Sequence, residues 1–176
     1  PLRRVLPVLG GIDFSPLVVG LGSLDERARQ ALPQELDAAL TECSLLAQGE
    51  LQQRLPKGAA GRGGGAGLAG SVSWDVQQSG AGAVAEIGSP LDYAEYVEYG
   101  TRPHRPPVAA LQLWVGVVLG LQGVAGRSAA YAIGQKIART GTRAQPVWQP
   151  TFDALQSEFR GKVAAAMDRV LGRLPT

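Results

Sequence analysis

The run Ser71–Gln77, "SVSWDVQ", alternates at every step, with Val72, Trp74 and Val76 set against Ser71, Ser73, Asp75 and Gln77. Period two belongs to a strand with one buried face. After the turn "SGAG", the run "AVAEIG" alternates again, with Ala83, Ala85 and Ile87 against Val84 and Glu86. The two runs predict an antiparallel hairpin whose buried side carries Trp74. The only other strand-like stretch is the extended segment Ile12–Leu21, held to a sheet edge or a strand start by Pro16. The rest of the chain reads as helices and loops.

The helices follow from spacing. Ser23 with Glu26 three residues on is a capping-box signature. The helix it opens runs to about Leu55, with Leu32, Leu36, Leu40, Cys43, Leu46 and Leu51 in one stripe. Pro33 is expected to kink it or to mark a restart. Pro56 stops it, and "KGAAGRGGGAG" (57–67) is a glycine-rich loop without the Gly-Lys-Ser/Thr ending of a phosphate loop. "SPLDYAEYVEYG" turns helical, with Tyr93, Tyr96 and Val97 on one face and Gly100 as its stop. Tyr93 and Tyr96 are therefore expected to pack on the sheet edge. Pro106 or Pro107 starts another helix, with Leu111, Trp114, Val115 and Val118 inward. A further helix spans about Arg127 to Arg139. Pro150 opens the last, long one, with Phe152, Leu155, Phe159, Val163, Met167, Val170 and Leu174 on one face. This gives an N-terminal arm at 1–11 and one α+β domain at 12–176.

Few kinds of chemistry fit. One cysteine, Cys43, excludes an intrachain disulfide framework, and it falls on an apolar helix face as a small core residue. The only histidine, His104, has no cysteine near it in sequence, so a Cys/His zinc site is not expected. It sits among prolines and arginines with no nucleophile motif beside it, which leaves a hydrolase reading without support. The carboxylates Asp92, Glu95 and Glu98 lie on one short helix and are expected to face solvent. No cofactor or metal is expected, and no catalysis. The opening "PLRRVLPVLGG" is too broken for a leader, and Val108–Ala125 is too polar and interrupted for a membrane span. Charged residues are only 18% of the chain, low for a soluble monomer, which favours an oligomer with buried protein–protein surface. The net charge of +2 is spread over scattered pairs, of which Arg102, Arg105, Arg139 and Arg143 would serve a nucleic-acid-binding reading.

Several local patterns resemble one family. An extended segment leads into a helix at "LVVGLGSLDERARQAL", and a loop enters a strand at "GLAGSVSW". "YAEYVEYGT" is the most specific, followed by "LQLW" and by "IARTGTRAQPVWQPTFDAL". Together they span about Ile12 to Phe159 and resemble the tail-completion, or neck, proteins of long-tailed bacteriophages, which are related to tail-terminator and tail-tube proteins.

That resemblance implies an α+β fold, a small antiparallel β-sheet flanked by helices with long N-terminal and C-terminal helices, and a structural virion protein at the head–tail junction. It would form a ring, as a rule hexameric, between the head connector and the tail tube or tail terminator, with DNA passing through the lumen unbound. A head-side connector or stopper is the nearest alternative. Rings close through heterologous contacts, in which Tyr and Arg are favoured. Tyr99, Thr101, Arg102, His104 and Arg105 are thus expected to reach a neighbouring subunit or ring. Prolines stiffen that loop beforehand, and Arg62 of the glycine-rich loop is a second contact candidate. Trp74, Tyr93, Tyr96 and Trp114 are expected to be core packing.

Overall fold

The structure is a computed structural model of the chain, and it describes residues 26–56, 67–79 and 82–172. The expected extended segment at 12–21, the N-terminal arm and Arg62 lie outside these residues. Helix α1 (Glu26–Arg54) runs without a break through Pro33. A single turn, α2 (Gly67–Gly70), leads into β1 (Ser73–Ser79) and β2 (Gly82–Gly88), then α3 (Ala94–Tyr99). Next come α4 (Val108–Trp114), a π-helical turn (Val115–Leu119), α5 (Gly123–Thr140) and α6 (Trp148–Leu171). The architecture is α+β, mostly helical, with one two-stranded antiparallel sheet.

The α1–α6 pair is the spine. Its helices run antiparallel, since Glu35 meets Arg169 at 2.7 Å and Glu42 meets Lys162 at 3.0 Å. The apolar stripes read from the sequence meet along this seam. Leu32 and Val170 close one end, Cys43, Ala47, Leu155 and Phe159 fill the middle, and Leu51, Leu55 and Trp148 close the other. Each Leu or Phe buried there contributes about 1.5–3 kcal/mol. Leu68, Val72 and Ala94 extend the last cluster, tying the entry to the sheet and the short helix α3 to the spine.

The sheet lies on α1 by one face only. Its register pairs Trp74 with Ile87, Asp75 with Glu86 and Val76 with Ala85. The Trp74 indole N–H donates to Gln48 Oε1 at 3.2 Å, and Gln78 Nε2 donates to the Pro33 carbonyl at 3.3 Å. Trp74 and Gln78 therefore face α1. By alternation Asp75, Gln77, Val84 and Glu86 occupy the opposite face.

Helices α4 and α5 with the π-turn pack chiefly on one another, as a helical hairpin. Small residues let them close: a Cβ on Gly134 would lie 3.3 Å from Leu111 Cδ1, and one on Gly126 would lie 2.6 Å from the Leu121 carbonyl oxygen. Val115 and Ala130 are buried between them. Among the described residues no single helix is long and apolar enough to cross a membrane. The pair meets that composition only when taken together across a bend of 115°.

Candidate functional site

Helix α3 faces the spine with Ala94, Val97 and Glu98. Ala94 and Glu98 are buried, and Val97 packs on the Leu51–Trp148 cluster. The Glu98 carboxylate does not face solvent, contrary to expectation. It accepts the backbone N–H groups of Val147 at 2.7 Å, Trp148 at 3.2 Å and Gln149 at 3.4 Å. These are orphan donors at the start of α6, where a negative charge also meets the positive end of the helix dipole. Val147, the residue preceding α6, offers no side-chain cap, so Glu98 supplies one from a distant helix.

This cap decides where the tyrosines go. Tyr93, Tyr96 and Tyr99 are 43%, 58% and 50% exposed. Three residues apart, they line the outer side of α3. The expectation that Tyr93 and Tyr96 are core packing is thus corrected, because the inward positions are taken by Ala94, Val97 and Glu98. Trp114, also expected in the core, is 37% exposed, and the small Ala130 and Gly126 fill the hairpin's interior beside Val115. Trp74 is half-buried against α1.

A clasp follows α3. Gly100-Thr101-Arg102 meets the matching Gly141-Thr142-Arg143 in an antiparallel bridge between Thr101 and Thr142. The Thr101 N–H donates to the Thr142 carbonyl at 3.1 Å. The Thr142 N–H and hydroxyl both donate to Thr101 Oγ1, each at 3.0 Å. Gly100 and Gly141 both have φ of +71°, a backbone open to glycine. A Cβ on either would strike the other strand's backbone, at the Thr142 and Thr101 carbonyl oxygens respectively. His104 Nδ1 lies 3.0 Å from the Arg102 carbonyl oxygen. The same nitrogen lies 3.3 Å from Thr101 Oγ1. Thr101 and His104 therefore have internal partners, whereas Arg102, Arg105 and Arg143 project as exposed cations without an ion pair among the described residues.

The clasp carries the α4–α5 hairpin, where the exposed apolar surface is concentrated. Among the described residues every exposed large apolar side chain except Leu45, Val84 and Leu171 lies between Tyr93 and Tyr131. A single exposed apolar residue needs no account, but so many within one stretch of the chain do. Charge follows the same boundary. Residues 99–152 hold six cations (Arg102, Arg105, Arg127, Lys136, Arg139 and Arg143) and no Asp or Glu. The rest of the chain has eleven basic residues against fifteen acidic ones, a net of −4. The overall +2 hides this division. No group of three or more His, Cys, Asp or Glu placed to hold a metal ion occurs among the described residues.

Exposed tyrosines and apolar helices on a rigid spine suit binding to protein surfaces. Residues 21–100 match the family model described as "Bacteriophage HK97-gp10, putative tail-component". Over that segment the chain is similar to the HK97-gp10-like family of phage tail components. The match ends at Gly100, so the matched segment takes in α1, the sheet and the tyrosine helix, while the cationic hairpin lies beyond it. No curated protein and no solved structure matches the chain.

Proposed function

We propose that this chain is a phage tail component and a structural subunit of a ring at the head–tail junction, joining the head connector to the tail tube and leaving a lumen for DNA. The observation that carries the reading is the band of exposed aromatic and apolar side chains from Tyr93 to Tyr131, held on ordered helices. A free monomer gains nothing from such a surface, and a ring subunit needs two of them, one for each neighbour. Tyr99, Arg102 and Arg105 stand at its edge as contacts to a neighbouring subunit or ring, because aromatic and Arg side chains are favoured there. Subunits of this kind act by shape and transform no substrate. The particle itself tests the reading: affinity-labelled protein should decorate the junction of intact virions, and labelling confined to the capsid or the tail tip would reject it.

The acid-free stretch 99–152 favours a second reading, in which Arg102, Arg105, Arg139 and Arg143 bind nucleic acid. That reading requires affinity for duplex DNA that falls steeply with added salt. DNA binding too weak to measure at physiological salt removes it.

A further inference from the structure

The open face of the sheet carries an arrangement that a free subunit would avoid. Asp75 and Glu86 are directly opposed across β1 and β2 on the face turned away from α1. Like charges in that position repel and weaken a strand pair. Beside them the exposed Val84 adds apolar surface. On α5, Val124, Arg127, Tyr131 and Arg139 recur at helical spacing and are all exposed, Val124 at 71% and Tyr131 at 65%. This line is apolar and cationic, and the sheet face is apolar and anionic. Arg127 and Arg139 stand about 18 Å apart along the helix and so can flank an Asp75–Glu86 pair from either side.

Resting on the ring reading above, we propose that α5 of one copy lies across the open sheet face of the next, with Arg127 and Arg139 answering Asp75 and Glu86. The contact is heterologous, helix line to sheet face, so each copy offers one surface to either neighbour and the chain of contacts closes into a ring. It covers the sheet's exposed side and relieves the opposed carboxylates. It also turns the cations toward protein, leaving them unavailable to passing DNA. The occupant is a second copy of this chain, because the charge division lies within the one sequence: +6 over residues 99–152 and −4 elsewhere.

Charge exchange tests the pairing. Full-length variants Asp75→Lys/Glu86→Lys and Arg127→Glu/Arg139→Glu are each produced, along with the chain carrying all four changes. Incorporation per particle is measured by quantitative mass spectrometry, and thermal melting shows that each variant folds. Each double variant should lose at least about tenfold in incorporation, and the fourfold variant should regain most of it. The inference is overturned if the fourfold variant does no better than the doubles, or if neither double is impaired. It is equally overturned if the Arg127/Arg139 variant loses only binding to anionic lipid vesicles, which would assign the face to a membrane. Normal incorporation of both double variants at the junction would sink this pairing and leave the ring reading intact. Absence of the unaltered protein from particles would sink the ring reading itself.

Discussion

The carboxylate of Glu98 accepts the amide of Val147 at 2.7 Å across 49 positions of sequence. It thereby ties the end of the tyrosine helix to the start of the C-terminal helix. With the Gln145–Val97 backbone bond and the Thr101–Thr142 clasp, it holds together the two ends of the segment that carries the hairpin.

Replacing that group should be costly. Glu98→Ala removes a charged acceptor from three helix-start amides and is expected to destabilise the protein by about 2 kcal/mol, within the range of lost caps and unsatisfied buried donors. Glu98→Gln keeps one acceptor oxygen and should cost less. Urea unfolding of the three proteins gives the order, and equal stability of Glu98→Ala and wild type would mean the cap contributes nothing.

The clasp glycines should resist substitution as a pair. Gly100→Ala and Gly141→Ala each place a Cβ against the facing backbone at a φ of +71°. Backbone strain alone in this region costs about 1–3 kcal/mol, and the overlap must also part the Thr101–Thr142 bridge. Hydrogen exchange should show faster exchange at the Thr101 and Thr142 amides in both variants. Unchanged protection there would contradict the geometry.

The tyrosines should separate stability from assembly. Tyr93→Ala, Tyr96→Ala and Tyr99→Ala remove rings that are about half exposed, so each should shift stability by no more than about 0.5 kcal/mol. The triple variant should nevertheless fail to enter particles. Melting curves together with particle composition check both halves, and a strongly destabilised Tyr96→Ala would return that ring to the core.

Cys43 offers a test by pH. Burial among the α1–α6 side chains pushes its thiol up to about 11, from an ordinary value of 9.0. The folded state thus holds the proton more tightly than the unfolded chain. The stability this gives is full below about pH 9 and fades as pH rises from 9 toward 11. At pH 8 a thiol-reactive dye should label native protein far more slowly than urea-unfolded protein. Equal rates would show that the middle of the spine is open.

Much of this architecture was legible in the sequence because it is periodic. The alternation about Trp74 and the stripes on α1 and α6 depend on local spacing, and the structure keeps them. The tyrosine helix misled for a physical reason. Helical spacing groups Tyr93 and Tyr96 with Val97, but the inward face is chosen by Glu98, whose partners lie on another helix. Nothing local signals that a carboxylate will be buried by distant amides. Trp114 misled similarly, since the hairpin closes on glycine and alanine and has no room for an indole. The charge division was readable all along, in the absence of Asp and Glu from residues 99 to 152, but the near-neutral total conceals it.

Electron cryomicroscopy of intact particles addresses the central claim most directly. The account predicts a closed ring of copies of this chain between connector and tail tube, with the band from Tyr93 to Tyr131 buried at the contacts between copies. A particle whose junction lacks the chain, or a ring in which that band faces open solvent, would contradict it.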